Sequence, residues 1–160
     1  MNIRFAEEHE IDSVMTLVNK AFAVERFFKP GNRLDREATQ KLFHTGRFLL
    51  AAEPSDEDEH GLAACVYVEM RHDHAYLGLL SVDPTRQKSG LGRRLVSAAE
   101  EFAREMGAHF MDLRIVHLRE ELPVIYKKYG YIPSGTEPLP AELAAKVTQP
   151  CHFLLMTKKL

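Results

Sequence analysis

Gln87, Lys88, Ser89, Gly90, Leu91, Gly92 and Arg93 spell QKSGLGR, between an apolar run that ends at Val82 and an amphipathic pattern that begins at Leu91. Glycines at a helix N-terminus expose unpaired backbone N–H groups and the positive end of the helix dipole, and both suit a phosphate or pyrophosphate. Arg86, Lys88, Arg93 and Arg94 crowd the same turn and add local positive charge. Their charge pattern alone is equally compatible with a solvated basic face. A P-loop needs lysine and then serine or threonine after its second glycine, whereas Lys88 and Ser89 precede Gly90. A dinucleotide fingerprint finds two of its glycines in Gly90 and Gly92 and an acidic residue in Asp112. Against it, Leu95 stands where the third glycine belongs, and Asp112 falls inside a strand pattern rather than at its end.

The elements that must hold this loop follow from periodicity. IRFAE reads as a first strand, and Ile11, Val14, Val18 and Phe22 recur at helical spacing behind Asp12 and Ser13. VERFFKPGNRLD breaks that helix at Pro30 and Gly31, and a second helix runs from Asp35 as N-cap to about His44. Phe27 and Phe28 either line a pocket there or pin the loop to the core. RFLLAA, LAACVYVEM and AYLGLLSV read as an antiparallel meander, with the acidic run Asp56 to Glu59 as a solvated hairpin tip. Leu91, Leu95, Ala99, Phe102 and Met106 mark one helix face that stops at Gly107. HFMDLRIV is a strand, EELPVIYKKYG a shorter helix closed by Gly130, and YIPSGT and HFLLMTKKL are the last strands. No repeat or linker interrupts this order, so one α+β domain covers 1–160.

At 160 residues, 45% hydrophobic, 28% charged and with a formal net charge of -2, the chain has the composition of a globular domain that does not bind nucleic acid by bulk charge. Cys65 and Cys151 lie among apolar residues and show no paired spacing, so a disulfide framework or a zinc site has no support and buried free thiols are expected. The N-terminus lacks a signal pattern and no apolar run is long enough for a membrane span, so the expectation is a cytoplasmic protein without a membrane partner. His72 and His74 form an H-x-H pair with no third ligand evident, and no metal is expected.

The pattern Q-x-x-G-x-G after a strand ending LLSVDP resembles motif A of the GNAT superfamily of N-acetyltransferases. Further on, LPVIYKKYGYIP resembles the family's second signature, and the element order fits from Ile3 to Leu160. The resemblance implies an α+β fold with a mixed, mostly antiparallel, strongly twisted sheet flanked by helices, in which strands four (Tyr76 to Val82) and five (Phe110 to Val116) splay apart. It implies acetyl-CoA as acyl donor and an amine of a small molecule or peptide as acceptor. The donor's pyrophosphate would lie on the backbone amides from Gln87 through Arg93, its pantetheine arm against Leu80 and Val82, and Tyr126 beside the departing sulfur. A homodimer is also compatible with the family.

Two positions depart from the family pattern. Tyr76 stands where many members carry a glutamate as general base, and a phenol is a poor base at neutral pH. Glu69, His72, Asp73 and His74 are near it in sequence, the last three reading as turn residues facing solvent. Arg119 stands where many members have an asparagine contacting the pantetheine, and it is assigned to cofactor, acceptor or an external helix cap. The acceptor would meet Phe27, Phe28, Glu69, Tyr76 or Arg119, and the segment GTEPLPAEL. No cysteine has a basic partner in a local motif, so direct transfer without an acyl-enzyme is expected. The Tyr76 departure keeps a non-catalytic acyl-CoA-binding module of the same fold as the alternative, with a dinucleotide-binding oxidoreductase behind it.

Overall fold

The computed structural model describes residues 2–52, 61–87 and 89–160. The acidic run Asp56 to Glu59 and Lys88 therefore lie outside the described residues. The chain runs β1 (Asn2–Phe5), α1 (Ile11–Ala21), a 3-10 turn (Phe22–Phe27), α2 (Arg36–Thr45), β2 (Arg47–Ala52), β3 (Leu62–Arg71), β4 (His74–Val82), α3 (Leu91–Glu105), β5 (Phe110–Val116), α4 (Glu121–Lys128), β6 (Ile132–Pro138), α5 (Ala141–Ala144) and β7 (His152–Lys159). The short α5 begins at the end of GTEPLPAEL and was not expected from the sequence.

The strands form one sheet in the order β1-β2-β3-β4-β5-β7-β6. Every neighbouring pair is antiparallel except β4 with β5, which is parallel. Two apolar clusters cover its faces. On one, α3 and Tyr126 of α4 pack on Leu49, Val66, Val68, Ala75 and Leu77. On the other, α1 and α2 pack on Phe48, Leu50, Cys65 and Tyr67, with Tyr76 and Leu79 at the margin.

Local chemistry explains the helices. α1 buries Ile11, Val14, Leu17 and Val18, spaced for one stripe. The Asp35 side chain accepts from Ala38 N at 2.7 Å and so caps α2. α3 buries Leu91, Leu95, Val96, Ala99 and Ala103, and each fully covered leucine contributes about 2–3 kcal/mol. Met106, expected on that face, is 58% exposed. It is the C-cap, beyond the last helical turn, so the helical period no longer aims it at the core. Buried Glu100 of α3 accepts from Tyr131 Oη at 2.8 Å and Lys158 Nζ at 3.0 Å, which fastens α3 to the β6–β7 side.

The β4–β5 pairing is short. His74, Ala75 and Tyr76 pair with Phe110, Met111 and Asp112, and the register ends there. β5 continues to Val116 in full register with β7, while β4 continues to Val82 against β3. The paired end is clamped by side chains. His74 Nδ1 lies 2.6 Å from Asp112 Oδ2, Thr157 Oγ1 donates to Asp112 Oδ1 at 2.7 Å, and the His74 ring stacks on Phe110.

Candidate functional site

Beyond Tyr76 the two parallel strands part, and a cavity of about 930 Å³ occupies the wedge. Its wall includes Leu77, Leu80 and Tyr126 from one face of the sheet and Phe22, Tyr76 and Leu79 from the α1 side. The cavity therefore passes through the sheet, with the α3 N-terminus at one end and the Phe22–Phe27 turn at the other.

The α3 end is made of backbone. Gly90 is the N-cap with φ 80°, a left-handed conformation that favours glycine, and an added Cβ there would touch nothing within 4 Å. No side chain caps the helix. The first helical bond runs from Arg94 N to Gly90 O, so the preceding N–H groups point outward. Ser89 turns its hydroxyl back to Arg86 O at 2.7 Å, away from those donors. A Cβ on Gly92 would lie 3.7 Å from Leu80, 3.8 Å from Val82 and 3.9 Å from the Tyr129 hydroxyl, which brings Gly92 and the two strand residues together across the cavity. Gln87, Ser89, Gly90, Leu91, Gly92 and Arg93 all line it, and so do Leu80 and Val82.

Midway, β4 carries a bulge. Tyr67 pairs with Gly78 and Cys65 with Ser81, so β4 spends three residues where β3 spends two. Leu79 absorbs the irregularity with φ 53°, a conformation that costs a non-glycine residue about 1–2 kcal/mol. This takes the backbone around Leu79 and Leu80 off the regular ladder beside the cavity.

Tyr126 lies opposite the bulge on α4, 8% exposed, with Tyr129 and Tyr131 edge-on to its ring at 5.9 and 5.8 Å. Its hydroxyl has no hydrogen-bond partner among the described residues, and it is not a sealed, unsatisfied group either. The oxygen therefore reaches the cavity. Burial pushes the Tyr126 phenol well above its usual pKa, with Tyr129 and Tyr76 adding to the effect and Arg119 opposing it. It stays a proton-bearing hydrogen-bond donor at neutral pH.

The far end is made of side chains. Arg119, 14% exposed, donates from Nη1 to Glu25 at 2.7 Å and from Nε to Glu121 at 2.6 Å. It therefore ties the Phe22–Phe27 turn to the start of the helix that carries Tyr126, rather than pointing along the cavity. Tyr76 lies over Gly78, where an added Cβ would stand 2.9 Å from its ring, so only glycine leaves room for that ring pose. Arg33 and Arg114 complete this end.

Of the acceptor residues expected from sequence, Tyr76 and Arg119 line the cavity. Phe27, Phe28 and Glu69 do not. Phe28 is 1% exposed and packs edge-on with Phe27, which is 56% exposed on the outer surface. Thr148 N donates to Phe28 O at 2.8 Å, so this pair pins the loop to the segment before β7. Glu69 accepts from Tyr67 Oη at 2.7 Å and from Arg71. Glu25, Arg33 and Arg114 were not singled out in the sequence, although Glu25 and Arg33 flank the two phenylalanines in the VERFFKPGNR segment.

Burial pushes the Cys65 thiol up to about 12, and Cys151 is raised by burial and by Glu25. Neither is an activated nucleophile. Among the described residues, no helix is long and apolar enough to cross a membrane.

The family model described as Acetyltransferase (GNAT) family matches residues 11–131. Among solved structures, the ribosomal-protein-S18-alanine N-acetyltransferase from Escherichia coli is similar at TM-score 0.78 and 14% identity, over 99% of this chain and 92% of that one. The ribosomal-protein-alanine N-acetyltransferase from Brucella melitensis gives TM-score 0.78 and 19% identity over 100% of both chains. A Bacillus anthracis str. Ames protein in complex with acetyl coenzyme A gives TM-score 0.61 and 15% identity over 72% of this chain and 63% of that one. At these identities the likeness is one of fold. No curated protein matches the chain.

Proposed function

The chain belongs to the GNAT acetyltransferase family, and from that premise we propose that it is an acetyl-CoA-dependent N-acetyltransferase moving an acetyl group directly to a primary amine of a small molecule or peptide. The cavity that starts at the α3 N-terminus and crosses the sheet beside Tyr126 carries this reading. On it, the donor's pyrophosphate rests on the amides of the Gln87 to Arg93 loop and its pantetheine follows β4 at Leu80 and Val82. A backbone N–H at the bulge polarises the thioester carbonyl, since a fixed donor aimed at developing negative charge stabilises the tetrahedral transition state.

The neutral amine attacks the carbonyl carbon. The N–C bond forms, the C–S bond breaks, the electron pair leaves on sulfur, and the surplus amine proton goes to solvent or to the thiolate. Tyr126 hydrogen-bonds the thiolate. Full proton transfer from an ordinary phenol to a thiolate is uphill by about 2 kcal/mol, and burial of Tyr126 makes it steeper. Both carboxylates lining the cavity, Glu25 and Glu121, are engaged by Arg119, so this reading assigns proton removal to water. The same observation favours the second reading, a non-catalytic acyl-CoA-binding module. Release of CoA that depends on an added amine separates the two.

Melting curves test the donor. Acetyl-CoA at about a hundred times its Kd should raise Tm by roughly 5–10 °C, from a linkage of about 2.7 kcal/mol. ATP and NADH should leave Tm unchanged. A rise with NADH in place of acetyl-CoA would overturn the assignment.

A further inference from the structure

The acceptor end of the cavity holds an unusual concentration of guanidinium groups. Arg33 lines it with no carboxylate at ion-pair distance among the described residues, and its guanidinium lies over the Phe22 ring at 5.9 Å. Arg33 keeps an exposed surface, and partial desolvation by the protein beside it lowers its pKa from the ordinary arginine value. Glu25 and Tyr76 offset part of the effect and Arg114 adds to it. Arg114 stands over Phe153 at 4.5 Å and beside the Tyr76 ring at 5.8 Å, with Glu137 reaching it only at 3.8 Å. Glu25, the carboxylate that would serve Arg33, is hydrogen-bonded to Arg119. Lys29 lies close enough to Arg33 to be pushed down by it, after desolvation and together with Lys146.

Like charges gathered along one cavity wall repel each other, and an arrangement of this kind is stabilised by an anion. A plain alkylammonium gains nothing from it. An amine that also bears an anionic group brings the missing countercharge and offers planar oxygens that guanidinium forks hydrogen-bond in pairs. We propose that the acceptor is a small primary amine carrying a carboxylate or phosphonate group, which Arg33 and Arg114 hold in the cavity that Tyr76 also lines. The proposal rests on the acetyltransferase reading. The bonds made and broken are those of the transfer above, and the anionic group takes no part in them.

The transfer test uses matched amines with acetyl-CoA: alanine against alaninamide, and aminomethylphosphonate against methylamine. The anion-bearing member of each pair should show the higher kcat/KM, by about tenfold or more. In Arg33→Gln and Arg114→Gln that preference should collapse through a raised KM. A preference for the neutral members, or one unchanged in both variants, overturns the proposal and leaves the acetyltransferase reading intact.

A second readout does not require turnover. In CoA-saturated protein, which keeps the probes off the α3 loop, the guanidinium NMR signals of Arg33 and Arg114 should shift with aminomethylphosphonate and not with methylamine. Unmoved signals overturn the proposal. If acetyl-CoA instead fails to stabilise the protein, it is the acetyltransferase reading that has failed.

Discussion

The two ends of the cavity are built by different means. At the α3 end, residues of one loop present main-chain N–H groups, with glycine favoured at Gly90 by its φ of 80° and Gly92 facing Leu80 and Val82. At the other end, Glu25, Arg33, Tyr76, Arg114 and Arg119 converge from four separate segments, and most of what they present is charge. A main-chain site depends on backbone shape and tolerates changes in side-chain chemistry, while the far end depends on which side chains happen to meet. The first suits a donor common to many acetyltransferases. On the proposed reading, the second is where an individual acceptor would be chosen.

Substitutions at each end should therefore separate donor effects from acceptor effects. The largest is expected for Gly92→Leu, whose side chain would fill the space between Leu80 and Val82. KM for acetyl-CoA should rise by about a hundredfold with little change in acceptor KM, and equal rises in both would erase the distinction. Tyr126→Phe should lower kcat by about thirtyfold through loss of one hydrogen bond to a charged sulfur, leaving acetyl-CoA affinity unaltered by calorimetry. Because the folded environment raises the Tyr126 pKa, the phenol stays protonated past pH 10. The wild-type kcat/KM profile should accordingly climb as the amine loses its proton, with no fall near that pH; a descending limb there would assign the ionisation to a different group. The smallest effect belongs to Arg119→Met. Losing its bonds to Glu25 and Glu121 should cost about 2 kcal/mol of stability, roughly 4–8 °C in Tm, and raise acceptor KM about fivefold. A lower Tm with unchanged acceptor KM would make Arg119 a purely structural tie.

The same contrast explains what was legible in the sequence. QKSGLGR and the Tyr126 helix could be read because their features are local: glycines before an amphipathic run, and a tyrosine in a short helix closed by Gly130. The order of elements along the chain followed from periodicity and from the family resemblance. The far end was legible only at Tyr76 and Arg119, since no spacing rule relates Arg33 to Arg114 or Glu25 to Arg119. Phe27 and Phe28 drew attention in VERFFKPGNR by size alone, whereas Phe28 anchors the loop and the neighbouring charged residues face the cavity. Met106 matched a helical period that the chain had already left.

The brief β4–β5 pairing has a mechanical meaning. Among the described residues, three residue pairs make up the strand pairing between a four-stranded leaf, β1 to β4, and a three-stranded leaf, β5 to β7, with His74, Asp112 and Thr157 as a rivet at its closed end. A ligand lying along the open edges would act as an added rung between the leaves, so its grip and the stiffness of the sheet would be a single property. Loosening the rivet, which touches neither the α3 loop nor the guanidinium groups, would then weaken the hold on donor and acceptor alike.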